Sequence, residues 1–434
     1  MQKIAVLGAG ESGVGAALLA KKNDIEVFVS DFGTIGEKFR QELKDNSISF
    51  EERGHNFEKL VNTDLIVKSP GIPDTAEIIT KLRLRHKEII SEVEFAYRFY
   101  DGKIAAVTGS NGKTTTTSLL YHLLAGTDMK VGLGGNIGHS FARMISSNES
   151  YDWIVLELSS FQLDDIKSFS AEIAILLNIS PDHLDRYDHT MYKYAFAKWK
   201  LAMNLSEKSH LILNKDDEWL SLMEAGFPVT ARVHSLPYEG LEVSSLSITE
   251  IDFSVFQLKG QHNLFNATAA VKAALLAGAS TKVVNERLGT FSALEHRLEP
   301  VGTIAGVEYI NDSKATNIDS VLVALESMNK PVIWIAGGVD KGNDYSLLDE
   351  LVRQKVKSII CLTKDDAKLQ KAFASIVDMT TTEDTDDCVK IAMQTAEQGD
   401  VVLLSPACAS FDLFGNYKDR GKAFKDAVRK IKLG

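Results

Sequence analysis

Apolar residues in this chain gather in short runs that close on glycine or polar turns. Ile4 to Leu7 is the first; Gly8-Ala9-Gly10-Glu11-Ser12-Gly13 follows and opens a helix carrying Leu18 and Leu19. Ile25 to Ser30 closes on Asp31, and Leu65 to Val67 closes on Lys68-Ser69-Pro70-Gly71-Ile72-Pro73. Strands alternating with helices predict a parallel sheet whose ligand loops lie at the carboxyl ends of the strands. The alternation continues. Ile104 to Val107 leads into Thr108-Gly109-Ser110-Asn111-Gly112-Lys113-Thr114 and a helical run with Leu119, Leu120, Leu123 and Leu124. Glu92 to Phe99 and Tyr192 to Leu205 read as helices, and Trp153 to Leu156, Ile173 to Leu177 and Leu211 to Leu213 as strands. Residues 240 to 258 alternate apolar and polar, which predicts antiparallel strands at a sheet edge. An Ala-rich helix then starts at Gly260 and runs to about Ala277. Val307 to Ile310, Val332 to Ala336, Ser358 to Leu362 and Val401 to Leu404 are further strands.

This pattern predicts an α/β protein of three domains. Residues 1–93 form a Rossmann-like domain, 94–298 a central phosphate-loop domain on a mostly parallel sheet, and 299–434 a second Rossmann-like domain. The length of 434 residues agrees with about three domains. The composition, 44% hydrophobic and 25% charged, is that of a globular chain with ample core. No apolar run approaches the ~18 residues that cross a bilayer, and MQKIAVLGAG enters a strand without a signal peptide's apolar stretch. Three cysteines without metal spacing fit a reducing compartment, so a cytoplasmic location is expected. A net charge of −11 argues against nucleic acid as partner, while local loops can still bind anionic small molecules.

Strand, glycine turn, Lys-Thr, helix is the order that a phosphate-cradling loop requires. Gly109 and Gly112 let backbone N–H groups turn inward, and the helix aims its positive end at the anion. Lys113 can reach the β/γ-phosphates and the Thr114 hydroxyl can bind Mg²⁺. The loop is a short variant, because Val107 stands where the general pattern has glycine. Glu157 and His183 follow strands of the same segment and are candidate metal ligands; Lys198 lies on a nearby helix. At the other end, Gly8-x-Gly10-x-x-Gly13 with Asp31 about 20 residues on reads as a nucleotide fingerprint in which Asp31 holds a ribose hydroxyl.

TGSNGKT at 108–114, LELSSFQL at 156–163, NISPDHLDRY at 178–187 and AFAKWK at 195–200 resemble the central ATPase domain of the Mur ligases, which build the peptide of bacterial peptidoglycan. GQHNLFNATAA at 260–270 and EHRLE at 295–299 extend the match. GAGESGVG at 8–15, KSPGIP at 68–73, YINDSKATN at 309–317, AGGVDKG at 336–342 and SPACASFDLFGNYKDRG at 405–421 resemble the branch that adds D-glutamate to UDP-N-acetylmuramoyl-L-alanine.

The resemblance implies ATP-driven amide formation through an acyl phosphate, by a monomer acting on these two small molecules. It implies that Gly109, Ser110, Asn111, Gly112, Lys113, Thr114 and Thr115 hold the phosphates, with Asn263, Asn266, Arg297, Asp312 and Lys314 completing the ATP site. Thr114 and Glu157 would hold one Mg²⁺. His183 would hold a second, supported by Lys198 as a carbamate, and Lys113, His183 and Lys198 would be the catalytic set. Gly10, Glu11, Ser12, Asp31, Phe32, Ser69, Gly71, Asn136 and Ser159 would bind the UDP substrate. Thr316, Lys341, Ser410 and Tyr417 would bind D-glutamate. Closure near residues 297–300 would accompany turnover.

Two departures from the family pattern stand out. Phe32-Gly33 follows Asp31 where the family often has Thr-Arg, so Phe32 is expected to stack on the base; Tyr417 stands in place of a phenylalanine. The rival readings are an NAD-dependent oxidoreductase, which leaves the phosphate loop unexplained, and a nucleotide switch, which needs no third-segment clusters.

Overall fold

The computed structural model describes residues 3–239, 241, 250–258, 260–292 and 295–433. These residues form three sheets. The first, in the order β3-β2-β1-β4-β5, is parallel throughout: β1 is Lys3–Leu7, β2 Glu26–Ser30, β3 Ser49–Glu51, β4 Leu65–Lys68 and β5 Ile89–Ser91. The second, also parallel, is ordered β11-β10-β9-β6-β8-β7, with β6 Lys103–Thr108, β7 Val131–Gly135, β8 Trp153–Glu157, β9 Ile173–Leu176, β10 His210–Asn214 and β11 Arg232–Leu236. The third is ordered β12-β13-β17-β14-β15-β16, with β12 Glu299–Ile304, β13 Val307–Asn311, β14 Val332–Gly337, β15 Val356–Leu362, β16 Asp378–Thr382 and β17 Val401–Ala407. Only β12 runs antiparallel among its described pairings. It turns into β13 through Ala305 (φ 49°) and Gly306 (φ 79°), two successive left-handed residues that suit the right-handed twist of a two-residue hairpin.

The sheets separate into two compact units, Met1–Phe256 with Asn263–Phe291, and Gln257–His262 with Ser292–Gly434. The first two sheets share one unit because one apolar core runs through both, including Ile4, Val29, Phe141, Ile154 and Leu176. Helix Glu11–Lys22 lies on helix Phe141–Ser146 so closely that a Cβ on Gly15 would sit 2.4 Å from Ser140 Oγ. Arg143 seals the join, donating to Glu11 Oε1 (2.7 Å) and to both Glu42 carboxylate oxygens.

Every strand expected from an apolar run is present. Six further strands, β3, β5, β7, β11, β12 and β16, were not expected, and each is a sheet edge. The expected strands over 240–258 fall largely outside the described residues; the described part holds a single 3₁₀ turn, Phe253–Val255.

Candidate active site

Strand β6 ends at Thr108, and residues 109–112 deliver the chain into helix Lys113–Leu124. Gly109 (φ 151°) and Gly112 (φ 82°) take backbone conformations open to glycine without strain. Space demands glycine at 112 as well, since a Cβ there would lie 2.4 Å from Asn266 Oδ1. Asn266 therefore rests on the loop itself. Asn263, a turn earlier on helix Gln261–Leu276, is buried.

The loop does not aim all its donors at an anion. Ser110 N–H donates to Asn178 O (2.8 Å) and Asn111 N–H to Asn178 Oδ1 (2.8 Å). The buried Ser110 hydroxyl donates to Ser180 O (3.0 Å) and accepts from Ser180 N–H (2.9 Å). These two residues, expected at ATP, direct those groups to residues 178–180 and pin the loop there. The features here that suit an anion are the N-terminal end of helix Lys113–Leu124 and the Lys113 ammonium. Thr114 and Thr115 lie in the first turn, Thr115 buried.

Lys113 Nζ donates to Gly109 O (2.7 Å) and Ser110 O (2.8 Å). Lys198, buried on helix Met191–Met203, donates to the same Gly109 O (2.9 Å), and its Nζ lies 4.6 Å from the Tyr194 ring centroid. Burial, and after it the Lys113 charge, push the Lys198 pKa well below the ordinary lysine range; Asp182, Asp164 and Glu157 oppose that shift.

Glu157 ends β8 and is buried. Asn136 holds it twice, through Nδ2 to Oε1 (2.8 Å) and through N–H to the Glu157 carbonyl (2.8 Å). Asn136, expected at the substrate, thus orients the carboxylate. Ser159 caps helix Ser160–Leu163 in a reciprocal box with Gln162, a local reason for Ser-x-x-Gln at that position. His183 has left-handed backbone (φ 53°); its Nε2 lies 3.5 Å from Asp182 Oδ2, and its ring stands edge-on to Phe161 at 4.9 Å.

At the fingerprint end, a Cβ on Gly13 would sit 1.8 Å from Gly8 O, so the third glycine serves close packing. Asp31 accepts from Ala9 N–H (2.6 Å) and Gly33 N–H (2.8 Å), tying the first glycine turn to the turn after β2. Phe32 is 78% exposed with its ring 5.9 Å from His55. Ser69 packs under Gly8, Gly10 caps the helix that holds Ser12, and Gly71 is exposed after β4. Glu11, expected to touch the nucleotide, accepts from Arg143 and Ser140.

In the second unit, buried Asp312 accepts from Leu298 N–H (3.2 Å) and Ser405 Oγ (2.9 Å), and burial raises its pKa to about 7 against the pull of these bonds and Arg297. Lys314 Nζ lies 5.3 Å from the Tyr417 ring centroid, and His296 meets that ring edge-on. Ser410 is buried; Thr316 and Lys341 are half-buried. Val339 and Ala409 exchange backbone hydrogen bonds, joining the segments that carry Lys341 and Ser410.

Sequence reasoning gave no role to Asn178 or Arg420. Arg420 is buried and donates to Ser313 O and Oγ, Gly337 O and Cys408 O, gathering the ends of three strands. Its signal was its place inside the matching stretch SPACASFDLFGNYKDRG at 405–421. Among the described residues, no three or more His, Cys, Asp or Glu come together as a metal cluster.

Family models agree with this architecture. The MurD N-terminal domain matches residues 3–78, the Mur ligase middle domain 107–274, and the Mur ligase glutamate ligase domain 296–408. The chain is 45% identical to the UDP-N-acetylmuramoylalanine–D-glutamate ligase of Christiangramia forsetii, over 99% of this chain and 100% of that one. It is 47% identical to the enzyme of the same name from Cytophaga hutchinsonii, over 98% of each. The fold is similar to that of the MurF ligase from Thermotoga maritima in complex with ADP (TM-score 0.63, 16% identity, 95% and 99% coverage). Identity at this level over whole chains, with all three domain models in order, makes this chain a member of the Mur ligase family, in its UDP-N-acetylmuramoylalanine–D-glutamate ligase branch.

Proposed function

We infer that the protein is an ATP-dependent amide ligase. It adds D-glutamate to UDP-N-acetylmuramoyl-L-alanine and releases ADP and phosphate, in the cytoplasm. The reading rests on the meeting of Lys113 and Lys198 at Gly109 O, with the charge of Glu157 acting on Lys198. A carboxylate is a poor electrophile. Attack of the substrate carboxylate on the γ-phosphate makes an acyl phosphate, from which phosphate leaves when the amine adds.

Lys113 swings from its loop carbonyls to the γ-phosphate and offsets the repulsion between two anions. The helix dipole holds the β-phosphate side. The nucleotide's other end rests on Asn263 and Asn266. Arg297, Asp312 and Lys314 are the further residues proposed for ATP. Gly10, Ser12, Asp31, Phe32, Ser69, Gly71 and Ser159 serve the UDP substrate, and Thr316, Lys341, Ser410 and Tyr417 the D-glutamate, where a cation and hydroxyls suit a dicarboxylate.

The donor set fits Mg²⁺ shared with phosphate oxygens, since that ion is commonly held by one or two carboxylates plus substrate phosphates. Thr114 and Glu157 would hold one ion; His183 and carbamylated Lys198 would hold the other. When bound, these ions neutralise charge on the transferring phosphoryl group. A buried lysine with depressed pKa presents the neutral amine that adds to CO₂, losing one proton and becoming an anion.

Phosphate release tests the reading. The purified protein should release phosphate from ATP only when both UDP-N-acetylmuramoyl-L-alanine and D-glutamate are present. Hydrolysis without either would favour a switch, and a change in nicotinamide absorbance would favour a dehydrogenase.

A further inference from the structure

We propose that Arg186 is a positioning residue that sets His183 and couples it to the loop carrying Ser69 and Gly71. The proposal rests on the ligase reading above. Arg186 comes from the single 3₁₀ turn Leu184–Tyr187 that follows His183. Its Nη2 donates to Ile72 O (2.9 Å), in the loop that leaves the first sheet after β4. Its guanidinium carbon lies 4.1 Å from the centroid of the Phe161 ring. The same ring stands edge-on to His183 and stacks on Tyr187 at 6.1 Å. Tyr187 in turn donates to Asp164 Oδ2 (3.2 Å).

One planar cation therefore touches the loop after β4 and the short helix Ser160–Leu163 after β8. One side covers the ring that His183 leans on, and an N–H holds the backbone of the substrate loop. Left-handed backbone at a non-glycine residue persists where its surroundings over-determine it, and Phe161 clamped under Arg186 supplies that constraint at His183. Lysine cannot take over both tasks. An ammonium lacks the flat face that stacks on an aromatic ring and the fork that reaches a carbonyl at the same time. The phosphate loop is held separately, by Asn178 and Ser180, so the ATP contacts do not pass through Arg186.

The test is steady-state kinetics on wild type, Arg186→Lys, Arg186→Met and Phe161→Leu, with thermal melts as a check on folding. Arg186→Met should lower kcat about tenfold and raise KM for UDP-N-acetylmuramoyl-L-alanine about tenfold, with KM for ATP within about twofold of wild type. Arg186→Lys should fall in between. Phe161→Leu should lower kcat, and combining it with Arg186→Met should cost less than the product of the two single effects. Wild-type kinetics in Arg186→Met would overturn the proposal. So would equal rises in both KM values, the mark of a general structural loss. If wild type itself turns over neither substrate, the ligase reading fails, and this proposal with it.

Discussion

Lys113 Nζ and Lys198 Nζ donate to one carbonyl oxygen, Gly109 O, at 2.7 and 2.9 Å. Two ammonium groups on one acceptor repel each other, and the buried one loses its proton more readily. Lys113 thus adds to burial in lowering the Lys198 pKa before any substrate arrives. Lys113→Ala should remove most turnover. It should also raise the Lys198 pKa, so that the ¹³C signal of a carbamate formed from labelled bicarbonate moves to higher pH. Lys198→Ala should be inactive and partly rescued by formate or acetate. No carbamate signal in wild type and no rescue by any short carboxylate would remove Lys198 from the catalytic set.

Glu92 supplies a pH dependence of stability. It is fully buried, Ala142 N–H donates to its Oε1, its Oε2 has no hydrogen-bond partner, and burial raises its pKa from 4.5 to about 7. The folded state then holds a proton that the unfolded chain releases near pH 4.5. Folded protein binds more protons across that window, so stability falls as pH rises from about 4.5 to about 7 and stays low above it. The loss is on the order of 3 kcal/mol at most. Glu92→Gln keeps an acceptor for Ala142. Its melting temperature should fall less across the window than that of wild type, since Asp312 still titrates there, and should be higher than wild type at pH 8; parallel curves for the two proteins would contradict the assignment.

Glu11 separates a packing role from a binding role. Glu11→Ala removes a carboxylate from half-buried Arg143 and should destabilise by about 1–2 kcal/mol. KM for the UDP substrate should stay within about twofold. A large rise in that KM with unchanged melting would return Glu11 to the nucleotide.

Lys341→Ala tests the amino-acid end. KM for D-glutamate should rise about tenfold or more while KM for ATP changes little. The reverse order would misplace the D-glutamate site.

The interior of each sheet was legible in the chain, and its margins were not. Inner strands such as Ile104–Val107 and Val401–Leu404 are covered on both faces and read as unbroken apolar runs. Edge strands lack that signature because they are partly exposed or too short: β16 is Asp-Met-Thr-Thr-Thr, β11 is Arg-Val-His-Ser-Leu, and β3 and the buried β5 have three residues each. The phosphate loop was legible because glycine, lysine and threonine at fixed spacing carry their own geometry. The partners of its side chains were not. That Ser110 and Asn111 turn to residues 178–180, or that Glu11 meets Arg143, depends on contacts between residues 67 to 132 positions apart, which no local spacing encodes.

A bare α-carbon at position 15 lets two helices from different sheets touch, and the interior behind them is continuous. Heat should therefore dissolve the first unit, Met1–Phe256 with Asn263–Phe291, as a single cooperative block, and a calorimetric trace should resolve two endotherms for this chain instead of three. Gly15→Ala would pry that block apart, so the same scan on the variant should show the first endotherm broaden or split.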